Sequence, residues 1–521
     1  MDSIYKEMEP MTNVSGQDSA SNAPLAYPYS NPAGNEYPVI AYNNDLVNLI
    51  NHPIENVNIE EVIPETLDYI QSCGFNVTLL IWNRKAANWN NILRTYFREA
   101  SSRGLRTVLD LTNIPIPVVE QEYVNKPGSS SSKVTAGISY DPTLDSYAAE
   151  LNRYNDVGNL WGFNLMRYPE FLNWGYDYVT APVGTSGLAG PGDLVEAYRV
   201  FMQNVNRHTA LFLLAVSSEQ RFVGKEIYDS VSSDRIKFER YLNAVIDRLN
   251  PTLLSVELFP ITKSETSPYY AISDTYYYLM ESMGKMSAER GVPFWMYMLC
   301  VEYNIYRDGS TVLEAEYPFP TAGILRFQAM NALAFGFQGL VFWAFALPEN
   351  VKQEDAEGNV IYKEEFINAP YTDEGISDLY RNCMDVIQEV KFYGRHLLGA
   401  RFIQAKHVYG PLSTGSFGET ETLTSYMGGI ANATADGRGF VVTQLNKGNI
   451  DKYMVFASHD PENEQEITVT LAAGINWDEI VMVDRSADAS GNTDTGRTTV
   501  EQTITRRLKP GGIILIHYTL K

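Results

Sequence analysis

Residues 160–170, LWGFNLMRYPE, decide how the rest of the chain is interpreted. The stretch is almost continuously apolar before it ends in Arg167, Tyr168, Pro169 and Glu170. Such runs are typical of strands in a parallel sheet that is covered on both faces, with polar groups where the strand ends. The stretch therefore predicts a buried parallel strand that delivers polar side chains to one edge of a sheet.

Seven similar apolar stretches alternate with helical patterns along residues 38–397. The other predicted strands are Pro38–Tyr42, Asn76–Trp82, Leu105–Leu111, Ala210–Val216, Leu253–Phe259, Pro293–Val301 and Gly339–Phe345. The predicted helices are Ile59–Ser72, Ile92–Ser102, Leu144–Tyr154, Leu194–Asn206, Arg235–Leu249, Asp274–Arg290, Ala322–Phe335 and Glu374–Leu397. Eight strand–helix units within about 360 residues indicate a closed (β/α)8 TIM barrel. A doubly wound sheet fits less well, because no glycine fingerprint follows the first strand.

The pattern changes after residue 400 to short strands separated by turn-rich segments. These strands are Gly439–Leu445, Tyr453–Ser458, Glu466–Leu471, Ile480–Asp484, Thr498–Thr505 and Gly512–Tyr518. They predict a C-terminal all-β sandwich domain that packs on the barrel as a support, with a separate sugar-binding module as the alternative. We expect three parts: an N-terminal extension (1–36), the barrel (37–400) and the sandwich (401–521).

Composition limits the partners of this 521-residue chain. Its formal net charge of −23 argues against nucleic acid or an anionic membrane surface. Cys73, Cys300 and Cys383 lie far apart in the sequence, and we expect each to be a small buried side chain. The six histidines show no ligand spacing. We therefore expect a neutral ligand, no metal and no cofactor; the oligomeric state is left open.

No apolar run is long enough to span a bilayer, which needs about 20 residues. The first residues, MDSIYKEMEPMTNVSGQ, lack the apolar core of a secretory signal. A trimmed signal would give the same sequence. We expect a secreted protein of the periplasm or the cell surface, with the cytoplasm as the open alternative.

Five acidic residues lie at or just after the predicted barrel strands, where parallel strands bring side chains to one rim. They are Asp110, Glu170, Glu219, Glu257 and Glu302. Charged groups so close to a core must be paired, solvated in a cleft or functional. Cleavage of a glycosidic bond needs two carboxyl groups, one to protonate the leaving oxygen and one to attack or to activate water.

Three of these acids also have a structural interpretation. Asp110 could pair with Arg84 or Arg167, which we favour over catalysis, and Glu219 could be loop surface. Glu257 either points into the barrel mouth or pairs with a basic neighbour.

Glu302 follows the seventh strand directly and precedes a predicted aromatic loop that contains Tyr303 and Tyr306. This is the best of the five positions for a nucleophile.

Aromatic and amide side chains follow the same strand ends, where rings could stack on sugar faces and amides could bind hydroxyl groups. Packing in the core or in loops is the competing interpretation. Asn83, Asn164 and Asn304 are the candidate amides. The predicted substrate-binding residues are Trp82, Asn83, Asp110, Arg167, Tyr168, Glu219, Tyr303 and Trp343.

Four motifs together resemble a known class of enzymes: WGFNLMRYPE, LLSVELFPI, PFWMYML and GILRFQAMNALAFGFQGLVFWAF. Residues 38 to 400 are similar to the barrel glycoside hydrolases of the clan A type. More closely, they resemble the β-galactosidase-like barrels of Bacteroides polysaccharide-degrading systems. The resemblance implies a (β/α)8 barrel, a following β-sandwich, and a nucleophile after the seventh strand, at Glu302.

The sequence departs from that family at the end of the fourth strand. The family commonly has Asp-Glu-Pro or Asn-Glu-Pro there, with the glutamate as acid/base, whereas this chain has Arg167-Tyr168-Pro169. Tyrosine is a poor replacement, because its ordinary pKa is about 10. Glu170, two positions later, or Glu257 would have to take the role.

Three hypotheses follow. The first is a retaining O-glycoside hydrolase acting on oligo- or polysaccharide, with Glu302 as nucleophile, Glu170 or Glu257 as acid/base and no cofactor. The second is an inactive glycan-binding barrel that has lost the fourth-strand acid. The third is a structural component whose mouth is plugged by the segments 113–142 and 180–192.

Overall fold

The fold is taken from a computed structural model. It describes residues 36–44, 59–81, 88–111, 119–124, 133–138, 143–154, 156–167, 212–216, 239, 242–243, 246–247, 251, 253–263, 270–272, 276–307, 312–355, 357–372, 374–413, 429–481 and 496–520.

Eight parallel strands form a closed barrel in which the first strand pairs with both the second and the eighth. In chain order the strands are Val39–Asn43, Val77–Ile81, Arg106–Asp110, Leu160–Arg167, Phe212–Val216, Leu254–Glu257, Phe294–Leu299 and Leu340–Trp343. Seven lie within the stretches predicted from the sequence, and the first extends one residue beyond its predicted end at Tyr42. Strands covered on both faces are recognisable as apolar runs.

Six helices are described around the barrel: Ile59–Cys73, Trp89–Ser102, Thr143–Asn152, Tyr276–Arg290, Ala322–Ala334 and Asp378–Leu397. The helix predicted at Leu194–Asn206 and most of the one at Arg235–Leu249 lie outside the described residues. The predicted start of the last helix at Glu374 is wrong. The Ser377 side chain accepts a hydrogen bond from Leu379 N at 3.1 Å and caps the helix there.

Side chains alternate between the two faces of the barrel strands, as the pleat of a strand requires. On the seventh strand, Met296 and Met298 pack outward against the helices, whereas Trp295 and Tyr297 belong to a separate buried cluster inside the barrel. On the sixth strand Leu254 and Val256 face outward. Glu257, the last residue of that strand, therefore has the inward orientation.

A four-stranded antiparallel sheet is inserted after the seventh and eighth barrel strands, and we call it the inserted sheet. Its strands are Glu302–Arg307, Val312–Tyr317, Val351–Glu354 and Val360–Asn368. The prediction of an aromatic loop after Glu302 is therefore wrong. The stretch EYNIYR alternates polar and apolar residues because one face of the strand is buried and the other is not.

The chain after residue 400 forms two antiparallel sheets that enclose a common apolar core. The larger sheet contains Arg401–Tyr409, Gly439–Lys447, Asp451–Ser458, Ile475–Val481, Gly496–Thr499 and Ile513–Leu520. The smaller sheet contains Ile430–Ala435, Gln465–Leu471 and Thr503–Leu508. The expected all-β part is present, but the strands Arg401–Tyr409 and Ile430–Ala435 were not predicted. The single strand predicted at Thr498–Thr505 is wrong, because Gly496–Thr499 and Thr503–Leu508 are separate strands in different sheets.

Three short antiparallel pairs complete the described elements: Val119–Val124 with Lys133–Ile138, Ile261–Thr262 with Ala271–Ile272, and Tyr371–Thr372 with Gly375–Ile376. Cys73, Cys300 and Cys383 are buried and free, as expected of small core side chains. Within the described ranges, no helix has the length and apolar character needed to cross a membrane.

Candidate functional site

A buried polar network links three barrel strands inside the barrel. Asp110 and Asn164 lie opposite each other on strands three and four, and both are fully buried. Asn164 Nδ2 donates to Asp110 Oδ2 at 3.0 Å and lies 3.4 Å from the Tyr297 hydroxyl. Because strands four and seven are not neighbours in the barrel, this contact crosses the lumen. A typical hydrogen bond contributes about 0.5–1.5 kcal/mol to stability, so these two contacts favour one arrangement of the lumen.

Two tryptophans close the lumen on the same two strands, nearer their beginnings. The rings of Trp161 and Trp295 stack with centroids 5.4 Å apart and planes 7° apart. Gly339 leaves room for them, since a Cβ at that position would lie 2.6 Å from Trp295 Cδ1. The lumen thus has an apolar floor and polar groups toward the carboxyl ends of the strands.

Glu257 belongs to the same end of the lumen. It ends the sixth strand, faces Tyr297 in the register of strands six and seven, and is 2 % exposed. Its inward orientation places Glu257 on the lumen side of its strand, and the two interpretations given above, a position in the barrel mouth and pairing with a basic neighbour, both stay predictions. Its carboxyl group comes from the strand next to the one that leads to Glu302.

Glu302 lies just above that end, at the start of the inserted sheet, and is half-buried. Asn368 Nδ2 donates to Glu302 Oε2 at 2.6 Å. Lys263 is also nearby and pairs with Glu316 at 2.7 Å. The hydrogen bond with Glu316 raises the pKa of Lys263 above its ordinary value, and the Glu302 charge adds to this. Glu302 is therefore held by a neutral amide and lies close to a cation.

Aromatic side chains pack beside these carboxyl groups. Tyr303 is 2 % exposed, stacks on Tyr317 with centroids 4.4 Å apart and on Phe366 at 5.1 Å, and meets the edge of Trp343. Trp343 is 8 % exposed and stacks on Phe259 at 5.6 Å. These rings fix the inserted sheet on the barrel mouth, which is the packing interpretation considered for them above.

The structure describes five of the predicted site residues: Asp110, Glu257, Glu302, Tyr303 and Trp343. It brings Tyr303 and Trp343 into contact, and it places Asp110 against Asn164. Five other predicted site residues lie outside the described residues: Trp82, Asn83, Tyr168, Glu170 and Glu219. Arg167 ends the fourth strand, but its side chain also lies outside the described part.

Sequence reasoning missed two polar residues at the site, Tyr297 and Asn368. Tyr297 could have been found, because every second residue of the seventh strand faces inward and Tyr297 is the polar one among them. Asn368 gave no comparable signal. Among the described residues, no group of three His, Cys, Asp or Glu side chains could hold a metal ion.

No family model matches the sequence, and no curated protein matches it either. Solved structures match at low similarity. The β-galactosidase of Bacillus circulans sp. alkalophilus is 10 % identical with a TM-score of 0.47, and the match covers 92 % of this chain and 99 % of that one. The β-galactosidase of the psychrophilic Marinomonas ef1 is 10 % identical with a TM-score of 0.39, covering 68 % and 60 %.

Saccharomyces cerevisiae Gas2p, solved in complex with laminaritriose and laminaritetraose, is 10 % identical with a TM-score of 0.37. The match covers 68 % of this chain and 64 % of that one. Similarities of this size say nothing about what this chain binds or cleaves.

Proposed function

We propose that this protein is a glycoside hydrolase that acts on oligo- or polysaccharide through two carboxyl groups at the barrel mouth. One observation carries the proposal: the neighbouring sixth and seventh strands bring Glu257 and Glu302 to the same end of the barrel. Glu257 faces the lumen, and Glu302 is half-buried and held by an amide. Two carboxyl groups at one mouth are what glycosidic bond cleavage requires.

In this proposal Glu302 is the nucleophile of a retaining mechanism. Its carboxylate attacks the anomeric carbon while the acid/base residue protonates the departing oxygen, which gives a glycosyl-enzyme and a free alcohol. The acid/base residue, now ionised, then takes a proton from water, and the water oxygen displaces Glu302. Glu170 or Glu257 fills the acid/base role.

The substrate proposed is neutral sugar, in agreement with the strongly acidic chain. Three members of the predicted binding set are described, Asp110, Tyr303 and Trp343, and they are buried, so in this proposal they shape the barrel mouth. The proposed sugar contacts are Trp82, Asn83, Arg167, Tyr168 and Glu219. Polysaccharide degradation outside the cytoplasm, and the likeness to Bacteroides systems, belong to the same proposal.

A second candidate is glycan binding without cleavage. The observation that favours it is Tyr168, which lies where the family resemblance implies an acid/base glutamate. Tyrosine is a poor acid/base residue, because its ordinary pKa is about 10.

Hydrolysis of a panel of aryl glycosides and oligosaccharides separates the two candidates. Glu302→Gln should abolish turnover and leave sugar binding intact, because the amide keeps the shape but cannot attack. Whichever of Glu170→Gln and Glu257→Gln removes the acid/base should lower kcat by about 10²–10⁴-fold. Glu365→Gln is the matched control on the inserted sheet, since Glu365 is 39 % exposed and pairs only with Lys363 among its described ion pairs.

Unchanged turnover in Glu302→Gln would overturn the assignment of the nucleophile. Oligosaccharide binding by the wild type without hydrolysis of any substrate in the panel would establish the glycan-binding alternative.

A further inference from the structure

The inserted sheet contains an irregularity directly beside Glu302. In the pairing of Glu302–Arg307 with Val360–Asn368, Glu302 lies opposite Asn368, but the next residue, Tyr303, lies opposite Phe366. Ile367 therefore has no partner in this pairing, which is the arrangement of a β-bulge.

The bulge changes which face of the sheet Asn368 occupies. In a regular strand, residues two apart share a face, so Phe366 and Asn368 would point to the same side. Here Phe366 stacks on Tyr303 in the aromatic cluster, while Asn368 reaches Glu302, the residue before Tyr303. The extra residue thus lets one strand supply a packing ring to one face and a hydrogen-bond donor to the other.

We infer that Asn368, turned toward Glu302 by the bulge at Ile367, is the positioning residue for the Glu302 carboxylate. This inference rests on the proposed function. Asn368 Nδ2 holds only Oε2 of Glu302, at 2.6 Å, among the hydrogen bonds described. An amide donor orients a carboxylate without adding a charge, so the other oxygen keeps its capacity to attack.

Among the described residues, the charged and titratable groups near Glu302 are Lys263, Tyr270 and Glu316, together with Glu257 at the end of the neighbouring sixth strand. Lys263 and Tyr270 flank the short antiparallel pair that follows the sixth barrel strand, and Glu316 lies on the neighbouring strand of the inserted sheet. Lys263 is paired with Glu316. The pKa of Tyr270 is raised, chiefly by burial and then by the charge of Glu462; the charge of Glu302 makes a smaller contribution. Asn368 is thus a neutral donor among groups that carry charge.

The test compares Asn368→Ala, Asn368→Asp and the control Asn359→Ala in the full chain. Asn359 lies at the distant turn of the same sheet, where its side chain donates to Asp355. Asn368→Ala should lower kcat about 10- to 100-fold with KM changed less than about twofold, as expected when a hydrogen bond to a charged group is lost. Asn368→Asp should also move the acid limb of the pH–rate profile to higher pH, because a second carboxylate opposes ionisation of Glu302.

A second measurement separates failure of this inference from failure of the proposed function. The pH dependence of carbodiimide labelling at Glu302, read by peptide mass mapping, needs no turnover. Labelling should extend to higher pH in both Asn368 variants and stay at the wild-type position in Asn359→Ala. Labelling profiles like that of the wild type in both Asn368 variants would overturn the inference, even if the wild-type protein hydrolyses glycosides. A shifted profile in the Asn368 variants, with no hydrolysis by the wild type, would support the role of Asn368 at Glu302 and overturn the proposed function.

Discussion

His407 and His459 form a buried pair between the barrel and the C-terminal sheets. His407 Nδ1 and His459 Nε2 lie 2.9 Å apart, and the ring of Tyr277 lies against both, with centroid distances of 4.8 and 5.2 Å. A hydrogen bond between two ring nitrogens needs at least one neutral imidazole. Burial lowers the pKa of His407 to about 3 and also lowers that of His459, with the neighbouring His407 adding to the second shift.

This pair predicts a loss of stability in mild acid. Both pKa values are depressed in the folded chain, while the unfolded chain takes up protons below about pH 6.5. The stabilisation is therefore complete above about pH 6.5 and falls as the pH drops toward 3, by about 2 kcal/mol at pH 5 for His407. Urea unfolding at pH 7.5 and pH 5 should show a smaller pH-dependent loss in His407→Gln than in the wild type. Equal losses in the two chains would contradict the prediction.

The helix Ala322–Ala334 connects the barrel to the C-terminal sheets through unusually close contacts. A Cβ on Gly323 would collide with the carbonyl oxygen of Pro461 and lie 2.9 Å from Pro510 Cβ. Arg326 donates to both carboxylate oxygens of Glu389, at 2.8 and 3.0 Å, and to Pro510 O at 3.0 Å. One turn of this helix therefore fixes a second helix and a turn of the sandwich.

Gly323→Ala tests this docking, because helix propensity and overpacking change the free energy of unfolding in opposite directions. Alanine favours a helix over glycine by up to about 1 kcal/mol, so an undocked helix would be stabilised. The contact with Pro461 and Pro510 predicts instead a loss of about 1–3 kcal/mol from overpacking. Urea unfolding measures the difference.

Gly158→Ala is the control, since no heavy atom lies within 4 Å of the added Cβ. It should change the free energy of unfolding by less than about 0.5 kcal/mol. A stabilised Gly323→Ala chain would show that the sandwich does not press on this helix.

The elements show which parts of the fold were predictable. Strands such as Phe294–Leu299 were found because both faces are buried and the run is apolar throughout. The strand Glu302–Arg307 was predicted to be a loop. Its apolar residues alternate with polar ones, and over six residues such alternation is a weaker signal for a strand than a continuous apolar run. Arg401–Tyr409, with its charged and polar residues, was missed for the same reason.

For the molecule as a whole, the sequence located the end of the barrel that carries the acids but not the contacts made there. Glu257 and Glu302 were identified because parallel strands bring their carboxyl ends to one rim. The contact of Asn368 with Glu302 joins residues that are 66 positions apart and depends on one extra residue in the pairing of their strands. No local sequence pattern indicates how two such distant strands pair. The positions of Glu257 and Glu302 at one rim could be predicted from the sequence, whereas the contact of Asn368 with Glu302 needed the three-dimensional pairing.

The proposed function depends on the Glu302 carboxylate as the nucleophile that attacks the sugar. The most direct measurement is trapping with a 2-fluoro glycoside that carries an activated leaving group and matches the glycoside that the wild type hydrolyses, followed by mass mapping. We expect one glycosyl unit per chain, attached to Glu302 and absent in Glu302→Gln. Hydrolysis of the parent glycoside with the label on another residue, or with no covalent label at all, would contradict it.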